Sequence, residues 1–190
     1  MTAGTSREID FALHPASDPV PAAERERLLA DPGFGQVFTD HMVTIGWSVD
    51  RGWHDAQIGA YGPFTLDPAT QVFHYAQEIF EGLKAYRQAS GPIVAFRPQA
   101  NAARFNRSAD RMAMPELPEA AFVRAIDLLV TQDREWVPTK AGHSLYLRPF
   151  MIATHRGLGV NKPSPSCLFA LIASPAASSH TTWSQPWSRA

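Results

Sequence analysis

The chain has 190 residues, 45% of them hydrophobic, and its 17 lysines and arginines face 18 aspartates and glutamates for a formal charge of −1. That length and apolar fraction suit one ordinary globular domain, or one with a small appendage, and exclude disorder throughout. Near-neutral charge gives no ground for a nucleic-acid partner or an anionic membrane surface, so basic groups are judged singly, by place.

The single cysteine, Cys167, excludes an internal disulfide framework and a Cys-rich metal site. Set in SCLFALIA it reads as a buried strand residue and fits a reducing compartment. No apolar run reaches the roughly 18 residues of a membrane-spanning helix, and the N-terminus lacks a secretory h-region. The chain therefore reads as cytoplasmic, with no membrane partner.

Residues 1–30 read as an arm and a short helix. Ile9, Phe11 and Leu13 alternate as in an edge strand, and AAERERLLAD after Pro21 has the charge spacing of a surface helix ended by Pro-Gly. Residues 31–177 read as the domain proper. MVTIGWSV and WHDAQIGAYGPFTL flank an Asp50-Arg51-Gly52 turn, which predicts a hairpin-like pair of strands. His41 and His54 read as surface or capping histidines, because neither stands at metal-ligand spacing; no metal is expected.

The stretch FHYAQEIFEGLKAYR, Phe73 to Arg87, packs aromatics, two carboxylates and a lysine closely together. Gln77 to Leu83 suits a short helix ending near Gly82. LKAYR then suits a strand with Lys84 and Tyr86 on one face and Leu83 and Ala85 on the other. On composition alone Tyr75, Phe80 and Tyr86 are core aromatics. Gly91-Pro92 turns into a strand, IVAFR, and Pro98 opens a helix that runs to Met112. Arg104, Arg107 and Arg111 share one face of it, which reads as solvated.

AAFVRAIDLLVTQDREWV carries Phe122, Ala125, Ile126, Leu129 and Val130 at amphipathic spacing, a packing helix whose end is fastened by Trp136 and Val137. In SLYLRPFMIAT, alternation sets Leu145 and Leu147 against Ser144, Tyr146 and Arg148. Tyr146 and Arg148 then face either solvent or a pocket, and alternation alone leaves both open. Gly157-Leu158-Gly159-Val160 is too apolar for an ordinary solvated loop and reads as a cover over something. Cys167 to Ala173 forms a last buried strand.

Taken together, Phe34-Gly35-Gln36-Val37-Phe38-Thr39-Asp40-His41-Met42, the Phe73–Arg87 stretch, Phe96-Arg97-Pro98, Asn101-Ala102-Ala103-Arg104, Ser144-Leu145-Tyr146-Leu147-Arg148-Pro149 and Gly157-Leu158-Gly159-Val160 closely resemble the branched-chain amino acid aminotransferases, in order and at compatible spacing, from about Asp31 to Ala177. The resemblance implies an α/β (α+β) fold, the small N-terminal domain of the D-amino-acid-transaminase-like class, and pyridoxal 5'-phosphate (PLP) as cofactor. It implies amino-group transfer between leucine, isoleucine or valine and 2-oxoglutarate. D-amino acid transamination and aminodeoxychorismate cleavage, on the same fold, match the Phe73–Arg87 stretch less well.

Residue by residue, the resemblance implies that Arg104 grips the cofactor's phosphate, a task suited to a planar guanidinium that pairs with two oxygens at once. It implies that Phe34, Tyr75, Phe80, Tyr146, Arg148, Leu158 and Val160 shape the substrate pocket. It further implies a homodimer in which the Gly157–Val160 loop reaches the partner's site; His155-Arg156 departs from the acidic-proline pair usual just before it. Amino acid and 2-oxo acid are the small-molecule partners.

Past Ala176 the likeness stops. Residues 178–190 show no helical or strand period and are expected to stay disordered or loosely docked. The family's second domain, with its Schiff-base lysine and the glutamate facing the pyridine nitrogen, has no counterpart among these residues. Lys84, Lys140 and Lys162 are the only lysines, and none stands in the family's Schiff-base motif. No catalytic residue is assigned: the sequence reads as a truncated branched-chain aminotransferase. The alternative is an inactive fragment, or an interaction domain that needs a second chain.

Overall fold

A computed structural model describes residues 9–159 and 163–177. In chain order it contains β1 (Ala12–Leu13), α1 (Ala22–Ala30), β2 (His41–Ser48), β3 (Gly52–Ala60), α2 (Gln71–Tyr75), β4 (Glu78–Phe80), β5 (Leu83–Arg87), β6 (Ile93–Ala95), α3 (Pro98–Arg111), α4 (Glu119–Gln132), β7 (Ser144–Ala153) and β8 (Ser166–Ala176). The strands form one sheet ordered β1-β3-β2-β8-β7-β5-β6, with β4 also paired to β7. Every pairing is antiparallel except β1 with β3. This is the expected α+β class.

The centre is the β7–β8 ladder, in register from Ser144 opposite Ala176 to Ala153 opposite Cys167. Period-two alternation drives Leu145, Leu147 and Met151 of β7, and Phe169, Leu171 and Ala173 of β8, to one face, where all are buried. The helices α3 and α4 cover that face. Phe105 of α3 and Phe122 of α4 stand with their ring centroids 5.5 Å apart, and both meet Phe169, at 5.7 and 6.2 Å. Ala102 and Ala109 on α3, and Ala121 and Ala125 on α4, are buried beside them, and small side chains let helix and sheet approach closely. Trp136 and Val137 are buried just past α4, as its sequence predicts.

Two expectations fail here. The helix in the Phe73–Arg87 stretch lies a turn earlier, at Gln71–Tyr75, and ends with Ala76 in a left-handed conformation at φ 48°. Glu78 to Phe80, expected to be helical, is strand, because pairing with Ile152, Met151 and Phe150 of β7 buries Ile79 and overrides a weak local preference. The strand after the Asp50–Gly52 turn also stops at Ala60, before the Gly62-Pro63 break.

His41, expected at the surface, is buried. Its Nε2 accepts the Ala16 N–H at 2.9 Å, which places the proton on Nδ1, where it is donated to Asp133 Oδ1 at 2.6 Å. The pair ties the N-terminal arm and β2 to the end of α4. Burial lifts the Asp133 carboxyl above its ordinary range, against the hydrogen bonds from Thr39 and His41 that favour its charged form. His54, expected to be a surface or capping histidine, is part-buried at the hairpin, where its ring nitrogens meet the Ser48 and Asp55 side chains. Cys167 is buried as expected, and burial pushes its thiol up to about 12, so it is unreactive.

Among the described residues no helix is long and apolar enough to cross a membrane. Replacing Phe169 by Ala removes the ring on which both covering helices meet. It should lower unfolding free energy by about 3–5 kcal/mol, read by urea denaturation.

Candidate active site

Alternation that fills one face of the sheet must dress the other. Opposite the helices stand Phe80 of β4, Lys84 and Tyr86 of β5, and Tyr146, Arg148 and Phe150 of β7. Phe80 is opposite Phe150, and Lys84 opposite Tyr146. On the far side of β7, Tyr146 is opposite Ser174 and Arg148 opposite Ile172. Phe80 keeps 61% of its surface in solvent, and Tyr86 39%.

Tyr146 and Arg148 are locked together. The Tyr146 hydroxyl oxygen accepts from Arg148 Nε at 3.0 Å and Nη2 at 2.8 Å. The guanidinium carbon lies 4.4 Å from the centre of the Phe80 ring and 5.3 Å from that of Tyr146, within cation–π range. Phe34, from the loop before β2, meets Tyr146 edge to face at 5.1 Å. Phe34, Tyr146 and Arg148, with Gly35, Phe38 and Ile172, border a mostly apolar cavity of about 210 Å³. Tyr146 and Arg148 thus border a cavity, one cation and one hydroxyl beside aromatic rings, an arrangement suited to an apolar side chain with an anionic end.

Arg104 sits apart, on α3, and is held by a residue the sequence analysis did not single out. Glu81 is buried; it accepts from Arg104 Nε at 2.6 Å and Nη2 at 2.7 Å, and from Asn101 Nδ2 at 2.9 Å. Burial pushes the Glu81 carboxyl up, but the Arg104 and Asn101 bonds outweigh it, and the net position is below the ordinary range. Arg104 in return is held above its usual value by the Glu81 carboxylate. Its side chain remains 59% exposed, open to a ligand. Arg107 and Arg111 are exposed, as a solvated face requires.

Tyr75 and Leu158 form a third group. The Tyr75 hydroxyl donates to the Leu158 carbonyl, and a bridge between Thr70 and Arg156 closes the same corner. Leu158 is exposed, and among the described residues no hydrogen bond or ring pair joins this corner to Tyr146 and Arg148. Contacts therefore gather the sequence-derived set as Phe34, Phe80, Tyr146 and Arg148 in one cluster, Arg104 apart from it on Glu81, and Tyr75 paired with Leu158. Val160 and Lys162 lie outside the described residues, as do residues 178–190. Lys84 is half-buried on the open face, and Lys140 is exposed in a loop.

Glu81 supplies a pH test. Its folded value lies below the reference of 4.5, so the stability it contributes is fully present above 4.5 and is lost as pH falls through the folded value. The melting-temperature gap between the parent chain and Glu81→Gln should be full at neutral pH and close progressively below 4.5. A gap that persists undiminished in acid would contradict the pairing.

No family model matches the chain. It is 59% identical over 165 residues to a probable branched-chain-amino-acid aminotransferase of Streptomyces coelicolor, a match covering 86% of this chain and 45% of that protein. It is 55% identical over 172 residues to the branched-chain-amino-acid aminotransferase of Mycolicibacterium smegmatis, covering 90% of this chain and 46% of the relative. The chain spans about half the length of the curated relatives it matches. Among solved structures, the branched-chain amino acid aminotransferase from Escherichia coli superposes with a TM-score of 0.53 at 21% identity, over 73% of this chain and 41% of that one, which establishes the shared fold.

Proposed function

The chain belongs to the branched-chain amino acid aminotransferase family, and we propose that it supplies one side of such an enzyme's cleft, holding the anionic ends of cofactor and substrate. The observation that carries this reading is the Tyr146–Arg148 pair, flanked by the Phe34 and Phe80 rings, on the sheet face opposite α3 and α4.

Pyridoxal 5'-phosphate, when bound, supplies the electron-withdrawing ring that amino-group transfer requires. The residues present fit its phosphate. Glu81 occupies Arg104 through Nε and Nη2, which leaves the Nη1 amino group for phosphate oxygens and fixes the plane in which it is offered. Arg148 and Tyr146 serve the distal carboxylate of 2-oxoglutarate. Because the Tyr146 oxygen accepts from Arg148, its own O–H proton remains free to donate to that carboxylate. Phe34 and Phe80 line the room for a branched side chain.

Tyr75, Leu158 and Val160 complete the pocket of a second copy in a homodimer. Among the described residues no hydrogen bond or ring contact joins Tyr75 and Leu158 to the Tyr146 cluster, which supports that arrangement over a pocket built from one chain.

Transfer also needs an amine to move a proton at the substrate's Cα. Lys140 is solvent-exposed, and Lys84 projects beside Tyr146 from the wall of the cleft. Neither has the desolvated setting of an activated amine. Among the described residues, then, no lysine is placed to move that proton, and the role proposed for the chain is binding without turnover. A second reading, an interaction domain whose lysine comes from another chain, is favoured by the 57% exposure of Phe34 and the 61% exposure of Phe80.

Titrating the purified chain with PLP should give saturable quenching of tryptophan fluorescence, weakened about tenfold or more in Arg104→Gln. Borohydride reduction followed by peptide mapping should find no lysine specifically labelled. Fixation of the cofactor on Lys84, or binding indifferent to Arg104, would contradict this assignment.

A further inference from the structure

The short connection between β4 and β5 is Glu81-Gly82; the Glu81 side chain and the Gly82 Cα face different parts of the site, although the Gly82 carbonyl also accepts, at 3.5 Å, from the Asn101 amide that donates to Glu81. Glu81 seats Arg104. Gly82 lies under Tyr146: a Cβ built on it would stand 2.5 Å from the Tyr146 hydroxyl oxygen and 3.2 Å from two carbons of the ring. Its φ is not in the left-handed region, so the backbone does not demand glycine there. What demands it is the neighbour across the break in the ladder.

We infer that Gly82 is a positioning residue for the substrate-facing pair, its missing side chain being the space that lets the Tyr146 hydroxyl reach Arg148. The inference rests on the reading of Tyr146 and Arg148 as substrate-facing. A tyrosine has only two side-chain torsions, and here both ends of the ring are engaged. Phe34 meets its edge or face at 5.1 Å, and its oxygen is fixed by two Arg148 donors at 3.0 and 2.8 Å. A methyl at residue 82 can be relieved cheaply only by swinging the hydroxyl aside, and that movement is the one that breaks the bonds to Arg148. Arg148 would then be free to leave the Phe80 ring, and the cation offered to the cavity would lose its fixed direction.

Glu81 gives an internal control. Arg104 is bound through the residue next door, so a disturbance confined to Tyr146 should leave it in place. The effect of Gly82→Ala should therefore appear at Arg148 and not at Arg104, which general destabilisation of the β4–β5 connection would not produce.

The experiment uses the full chain without ligand, with the Nε–H resonances of Arg104 and Arg148 assigned by Arg→Lys variants. In Gly82→Ala the Arg148 Nε–H should move to the position of a solvent-exposed arginine and exchange with water at least about tenfold faster, while Arg104 stays within its line width. Melting should fall by several degrees. That loss should shrink by at least half when Gly82→Ala is made in a Tyr146→Phe background, where the oxygen is gone. If Gly82→Ala alone fails to fold while Gly82→Ala/Tyr146→Phe folds, the inference is supported. If Arg148 does not move, or both variants lose the same stability, it is overturned. Binding of PLP is measured separately on the same samples: a moved Arg148 with no PLP binding by the parent chain sinks the functional reading and leaves the spatial role of Gly82 intact.

Discussion

The covering of one face of the β7–β8 ladder is the constraint from which the rest follows. Phe105, Phe122 and Phe169 close a three-ring contact between α3, α4 and the sheet. Burying one face of a strand commits every second side chain to it, and a slip of one residue would exchange the two sets. With Leu145, Leu147 and Met151 inward, Tyr146, Arg148 and Phe150 have to point the other way. The packing that stabilises the fold thereby decides which residues can meet a ligand.

The position of Arg104 and Arg148 depends on a second feature, the break between β4 and β5. β7 pairs with β4 through Phe150 to Ile152 and with β5 through Leu145 to Leu147. Arg148 and Pro149 stand at the gap, where a proline that cannot donate to a ladder is tolerated. The Pro149 carbonyl is still satisfied, by the Glu81 N–H at 2.8 Å. From that same point Glu81 reaches back to Arg104 on α3. Two arginines separated by 44 positions in sequence are therefore referenced to one turn of backbone.

Much of this was legible in the residues. The hairpin around Arg51, the strand Leu83–Arg87, the helix opening at Pro98 and the amphipathic helix after Pro118 each carry a local signal, in turn chemistry or period, and each stands where that signal puts it. Glu78 to Phe80 did not, because its strand character comes from β7 and not from its own composition. His41 was misplaced for a related reason: its partners Ala16 and Asp133 lie 25 and 92 residues away, and a histidine looks polar until a distant carboxylate satisfies it. Glu81 is the instructive omission at the site. It is one of the two carboxylates in a motif dense in aromatics, and nothing local says that it meets an arginine 23 residues on. The one available signal was a lone acid between Phe80 and Gly82, with a strand of buried alternation to follow.

The open sheet face carries fixed cations among aromatic rings, and neither described lysine, Lys84 or Lys140, has the setting of a proton-moving amine. Amino transfer from leucine to 2-oxoglutarate by the purified 190-residue chain, with PLP in excess, tests that directly. The expected rate is that of free PLP in the same buffer; a rate above it that scales with protein concentration and disappears in Lys84→Met would contradict the account at its centre.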